Sequence, residues 1–274
     1  MQVDHHVRAG EDLVGDEAGN ALAPAITWQD RRAEAEAAWL RENVSLDQLR
    51  DWLGMDLPVD AGWPPARMLW WRRNQPDLLA QARGVLMAKD YLLLKLTGAF
   101  ASDAWSAKGL IHLLTGSAPE TYYQTLDIPA SVAPLISAPY AALGVVTDEA
   151  ARLTGLRAGT PVVTGMSDAL CGMAGTGAFS NPDIAFNLTG TSDITGCSGK
   201  SAVSGLLFIP AEITGDVAVL YGPTQSGGDS LAWFAEWVGM PIESVIGVAE
   251  ATTAGASDLI FLPYLQGERA PLWD

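Results

Sequence analysis

Two places in the sequence carry residue types that could do chemistry together. In Pro161-Val-Val-Thr-Gly165-Met-Ser-Asp168 a short apolar run ends in a glycine, and a carboxylate follows at the start of a small-residue helix. A carboxylate at the carboxyl end of a strand is placed to take a proton from a hydroxyl. Further along, a second apolar run ends in Gly190-Thr191-Ser192. A tight turn of that composition exposes backbone N–H groups and two hydroxyls, which can hold phosphate oxygens. Base and cradle together describe phosphoryl transfer, in which positioning and charge stabilisation supply most of the catalysis. Each also has a plainer reading, Asp168 as the cap of its helix and Gly190-Thr191-Ser192 as a turn.

Other chemistries fail on spacing. Gly199-Lys200-Ser201 resembles the end of a P-loop, but Ile194 stands where that loop needs its first glycine. Gly175-Thr-Gly177 would need a glycine at Ser180 to make a dinucleotide fingerprint. Gly165-Met-Ser-Asp-Ala169 is one residue short of a nucleophile elbow, and no histidine follows the serine, because the three histidines are His5, His6 and His112. His5 and His6 have no other ligands near them in sequence, so no metal site is assigned.

The elements that must position these residues change character along the chain. The first 150 or so residues read as mainly helical, with a helix over Asp30–Val44 that is capped by Asp30 and buries Ala33, Ala37, Leu40 and Val44. A second helix is expected over Pro64–Asn74 with its prolines near the start, and Trp70 and Trp71 read as core. A third is expected over Leu86–Leu96, stopping at Thr97-Gly98, and a fourth from Asp103 to about Leu114. Ser117–Tyr140 reads as loop and short helix over the surface. Pro161–Gly165 then reads as a buried strand and Ser167–Ala178 as a helix. Strands follow at Ile184–Leu188, Ser192–Cys197, Leu206–Ile209 and Val217–Tyr221, before a helix with Leu231, Phe234, Ala235 and Val238 on one side.

Composition narrows the partners. The 274 residues carry 16 basic and 32 acidic side chains, a formal net charge of −16. That argues against nucleic acid, whose partners neutralise phosphates with clustered Lys and Arg, and against an anionic membrane surface. No apolar run reaches the roughly 18 residues of a membrane span, and the first residues have no secretory pattern. Two cysteines, Cys171 and Cys197, make no disulfide framework and read as small core residues, with a reducing cytoplasm as the default compartment.

Segments in order along the chain resemble the FGGY carbohydrate kinase family, which includes xylulokinase, ribulokinase and glycerol kinase. Asp16-Glu-Ala-Gly19 and Pro24-Ala-Ile-Thr-Trp-Gln-Asp-Arg31 are similar to the family's opening motifs. Gly62–Asn74 resembles its first signature, with Arg67 where Lys is usual and Trp71 where an aliphatic residue is usual. Asp90–Gly98 matches the helix that ends in Leu-Thr-Gly, and Thr154–Asp168 the strand leading to the family's catalytic Asp. Gly190-Thr191-Ser192 matches the phosphate turn, and Gly227-Gly228 with Leu231-Ala-Trp233 the next glycine element. Phe261-Leu-Pro-Tyr-Leu-Gln-Gly-Glu-Arg-Ala-Pro-Leu-Trp-Asp274 matches a segment of xylulokinase-like members.

The resemblance implies an α/β fold of the actin-like, ribonuclease H-like ATPase kind in two domains, both incomplete. Residues 1–178 would form a sugar-binding domain lacking its first strands, and residues 179–274 the beginning of an ATP-binding domain. Asp168 would be the general base toward a sugar hydroxyl, and Gly190, Thr191 and Ser192 would contact the phosphates of ATP carried with Mg2+. Gly227 and Gly228 would lie near the nucleotide, and Lys108 would meet a sugar hydroxyl in competition with a solvated surface role. Trp28, Asp30 and Arg31 read first as a packed, capped helix start, and Glu268 with Arg269 as an ion pair fixing the closing segment.

The implied function is ATP-dependent phosphorylation of a sugar or polyol, a ketopentose such as xylulose first, by a cytoplasmic enzyme, with homodimerisation left open. The alternatives are a glycerol kinase-like polyol specificity and a non-catalytic sugar-binding remnant. No Asp-x-Gly-Thr turn precedes Asp16 and no adenine-binding glycines follow. The sequence therefore reads as the middle of a longer kinase, with little or no turnover expected of this piece.

Overall fold

The computed structural model describes residues 12–199 and 201–273 and divides the chain into two units, Met1–Cys171 and Gly172–Asp274. His5, His6, Lys200 and Asp274 lie outside the described residues. The first unit runs β1 (Leu13–Gly15), α1 (Glu34–Asn43), α2 (Leu46–Leu53), α3 (Pro64–Asn74), α4 (Pro76–Gln81), β2 (Gly84–Leu86), α5 (Ala88–Thr97), β3 (Ala101–Ser102), α6 (Glu120–Leu126), β4 (Leu135–Ile136), β5 (Ala142–Val145), α7 (Asp148–Thr154) and β6 (Pro161–Val163). The division between the units falls inside the next helix, α8 (Asp168–Gly175). Strands pair in twos, β1 with β2 and β5 with β6 antiparallel, and β3 with β4 parallel.

Helix α3 occupies the expected span, with prolines in its first turn, where no N–H is needed. It buries Met68, Leu69 and Trp71 while Trp70 stays half-exposed under the Arg32 guanidinium. Helix α5 ends as expected on Gly98 in the left-handed region. Its start lies later than Leu86 because Val85 and Leu86 pair with Val14 and Leu13 as strand. Helix α1 likewise begins at Glu34 and is not capped by Asp30, whose carboxylate accepts from the Arg32 amide and side chain instead. Ala33, Ala37, Leu40 and Val44 are buried as the spacing predicts.

Further expectations fail in this unit, in whole or in part. No helix follows Asp103: its carboxylate accepts from the Trp105 and Ser106 amides at 3.1 Å each, and Gly109 has φ +85, so the segment folds as turns. Ser117–Tyr140 is loop with the short helix α6, as expected, but it does not merely lie over the surface, because Tyr122, Tyr123, Leu126 and Val132 are buried and the two tyrosine hydroxyls donate to Gly109 O and Leu110 O. Strand β6 is not buried: it pairs only with β5, and Val163 is half-exposed.

The second unit continues with β7 (Ala185–Thr189), β8 (Asp193–Ser198), β9 (Leu207–Ile209), α9 (Ala211–Thr214), β10 (Val219–Pro223), α10 (Gly228–Val238) and α11 (Ile242–Glu250). The four strands form one antiparallel sheet in the order β7-β8-β10-β9, close to the expected boundaries. Gly196 in its middle allows close packing, since a Cβ there would meet Phe186 Cζ at 2.5 Å and Leu220 O at 2.7 Å. Alternation along β8 turns Thr195 and Cys197 to an exposed face, so Cys197 is not core. Cys171 is exposed too, being rotated off the α8 stripe that buries Leu170 and Met173. On α10 only Ala235 of the four expected apolar positions is buried. Among the described residues no single helix is long and apolar enough to cross a membrane.

Candidate functional site

In the first unit the link from β6 to α8 carries Asp168. Thr164 N donates to Ala141 O at 3.0 Å and Gly165 N to Pro139 O at 2.8 Å, which ties the end of the strand to the chain before β5. Gly165 turns the backbone at φ +70, a conformation that suits glycine. Asp168 is then the first residue of α8, with its side chain exposed and Oδ1 accepting from the Ala169 amide at 2.7 Å. The carboxylate thus touches its own helix start and also reaches solvent, where a hydroxyl can approach it.

Lys108 is half-buried against two tryptophans. Its ammonium donates to Trp105 O at 3.1 Å and lies 5.4 Å from the ring centres of both Trp63 and Trp105. Burial pushes it down to about 8, against the attraction of Asp103 and Asp12 and helped by repulsion from Arg67. Around it lies a buried polar network that the sequence did not single out. Arg67 pairs with Asp12 at 2.8 Å and donates to Ile26 O at 2.9 Å. Lys89 pairs with Asp90 and, at 2.9 Å, with Asp103, while Asp90 also accepts from Ser102 Oγ at 2.7 Å and the Met87 amide at 3.1 Å. Burial raises the Asp12 and Asp90 carboxyls above the usual carboxylate range despite these cations. The signal in the sequence was Arg67 inside the otherwise apolar Pro64–Trp71, since a cation there must find a partner.

Asp30 and Arg31 are spent on surface ion pairs, Asp30 with Arg32, and Arg31 with Asp60 and Glu34, all at 2.7 Å.

In the second unit Gly190, Thr191 and Ser192 form the turn between β7 and β8. Gly190 N donates to Ser192 O at 2.9 Å and closes it. The start of α10 is stitched to this turn: Gly227 N donates to Thr191 O and Gly228 N to Gly190 O, both at 2.9 Å. The approach requires glycine, because a Cβ on Gly228 would sit 2.6 Å from Gly190 O and one on Gly227 2.8 Å from Asp193 Cγ. The two glycine elements therefore form one structure, in which the Gly227 and Gly228 amides hold the turn.

Glu268 and Arg269 both bond to the chain that follows β10. Buried Glu268 accepts from the Gln225 amide at 2.6 Å and the Arg269 amide at 2.8 Å. Arg269 reaches the turn, donating from Nη2 to Ser192 Oγ at 3.0 Å and from Nε to Thr224 O at 3.0 Å.

Residues 9–175 match the model of the N-terminal domain of the FGGY family of carbohydrate kinases. The chain belongs to the FGGY family of carbohydrate kinases. It is 30% identical over 261 residues to the xylulose kinase of Escherichia coli (strain K12), covering 91% of this chain and 52% of that one. It is 27% identical over 275 residues to the gluconokinase of Bacillus licheniformis, covering 94% and 53%. The crystal structure of ligand-bound xylulose kinase from Lactobacillus acidophilus superposes with a TM-score of 0.82 at 24% identity, covering 97% of this chain and 55% of that one. The α/β, actin-like fold expected from the sequence is the fold of these kinases, and the chain spans about half the length of the curated relatives it matches.

Proposed function

We propose that this FGGY chain serves ATP-dependent phosphorylation of a sugar hydroxyl, with a ketopentose such as xylulose as the acceptor. The observation that carries the reading is Asp168, whose carboxylate stands exposed at the first position of α8 after β6, in a segment whose sequence resembles the one leading to the family's catalytic Asp. In this role Asp168 accepts the proton of the attacking hydroxyl. Residues 1–178 bind the sugar, with Lys108 toward its hydroxyls, and residues 179–274 bind ATP.

The chemistry of the second unit fits a phosphate group: two hydroxyls at Thr191 and Ser192, with a guanidinium 3.0 Å from one of them. Thr191 and Ser192 hold phosphate oxygens, Gly190 is spent on closing the turn through its amide, and Gly227 and Gly228 act by keeping the turn in place. In this reading Mg2+ arrives on the ATP phosphates, since that ion keeps several waters and is usually held through substrate phosphates.

The test is radiolabel transfer from γ-labelled ATP and magnesium, under single-turnover conditions, to xylulose, gluconate and glycerol. Slow transfer to the ketopentose is expected, and Asp168→Asn should lower it by about 10²- to 10⁴-fold with the melting temperature unchanged. A mild effect removes Asp168 as the base. Transfer only to gluconate or glycerol moves the acceptor, and sugar binding by calorimetry without any transfer, in a chain extended to the length of its relatives, favours the non-catalytic alternative.

A further inference from the structure

Residues 172–274 contain eleven acidic side chains and only two basic ones, Lys200 and Arg269. Arg269 is the single cation among the described residues of this unit, and its guanidinium is directed at the Gly190–Ser192 turn. Three contacts hold it there. Nε and Nη2 both donate to Thr224 O. Buried Glu268 clamps the Arg269 amide together with the Gln225 amide, and the Ala270 amide donates to Pro223 O at 3.0 Å. Thr224 in turn is joined to β8 at its first residue, accepting from the Asp193 amide through Oγ1 at 2.9 Å.

The bond from Nη2 to Ser192 Oγ has a directional consequence. A serine hydroxyl has one proton and two acceptor lone pairs, and a guanidinium only donates. With Arg269 filling an acceptor position, the Ser192 proton is left to be given to another acceptor, and an anionic oxygen beside a guanidinium is a strong one. We propose that Arg269 is the positioning residue of the phosphate turn, fixing Ser192 as a hydrogen-bond donor and bringing to the turn the cation that an otherwise acidic unit lacks. This rests on the reading of the turn as a phosphate cradle.

The test titrates the chain with magnesium and ATP by calorimetry, alongside melting temperature and peptide-level hydrogen exchange. Arg269→Met is expected to weaken ATP binding about tenfold, the scale of a lost hydrogen bond to a charged group, and Ser192→Ala by a similar factor. The double variant should bind no worse than the weaker single one, because both changes remove the same interaction. Arg269→Lys should recover part of the loss, restoring the charge without the planar fork, and it replaces Arg269→Met in the comparison if that variant melts below the assay temperature. Additive losses, or wild-type affinity in Arg269→Met, overturn the proposal. A wild-type chain that binds no ATP counts against the cradle reading, and hydrogen exchange then decides the positioning. Faster exchange of residues 190–196 in Arg269→Met, with residues 207–209 unchanged, supports it, and unchanged exchange overturns it.

Discussion

Lys108 folds with its ammonium against Trp63 and Trp105, and burial brings it down to about 8. In the unfolded chain the same amine titrates near ~10.4. Between those values the unfolded state holds the extra proton, so stability rises with pH across that window. The cost of keeping Lys108 charged in the fold is full below about pH 8 and is shed as the pH climbs toward 10. Tyr122 and Tyr123 work in the opposite sense, since burial holds both hydroxyls above their ordinary value and unfolded tyrosines ionise near ~10. Measurements at about pH 7 and 9.5 stay largely below that second effect. Over this interval the unfolding free energy of wild type should gain about 2 kcal/mol relative to Lys108→Met. Urea titrations of both proteins check it, and a gap that does not change with pH would show that the lysine is solvated.

At the scale of elements, the contact of α10 with the β7–β8 turn is sensitive to a single methyl group. Gly228→Ala would place a Cβ 2.6 Å from Gly190 O, forcing the helix start off the turn at a cost of about 1–3 kcal/mol. Gly247, inside α11 with nothing within 4 Å of an added Cβ, gives the contrast: Gly247→Ala should stabilise by about 0.5–1 kcal/mol. Thermal denaturation of both variants checks the pair, and equal effects would mean that the turn yields freely.

The same comparison shows what the sequence made legible. Helix α3 and the strands of the second unit could be read because prolines, glycines and apolar runs act on their immediate neighbours. The start of α1 could not, because Asp30 has a stronger local partner in Arg32 than the helix amides. The helix expected after Asp103 gave way to side-chain capping of turns, and the burial of Tyr122 and Tyr123 depends on carbonyls 13 residues away. In the candidate site, residue types and order located Asp168 and Gly190-Thr191-Ser192. The bond from Arg269 to Ser192 joins residues 77 apart, and no local pattern announces such a contact.

For the whole molecule, the net charge of −16 sets how an anionic ligand approaches. The second unit holds nine acidic groups in excess, and ATP remains negative with magnesium bound, so the long-range field repels the ligand that the turn is proposed to hold. The attraction near Arg269 is short, a donor 3.0 Å from Ser192 Oγ on a half-buried side chain, and half-buried contacts are screened less than distant surface charges. Raising ionic strength from about 10 mM to about 150 mM shortens the screening length from roughly 30 Å to roughly 8 Å. The repulsion is then largely removed while the contact persists. ATP should therefore bind more tightly as salt is added over this range, the reverse of sites built from clustered cations. In Arg269→Met, where repulsion is left without its local counterweight, the gain with salt should be steeper. Calorimetry at fixed free magnesium across that range measures both slopes. Affinity that weakens with salt would instead place a net positive potential at the turn and make residues beyond Arg269 responsible for it.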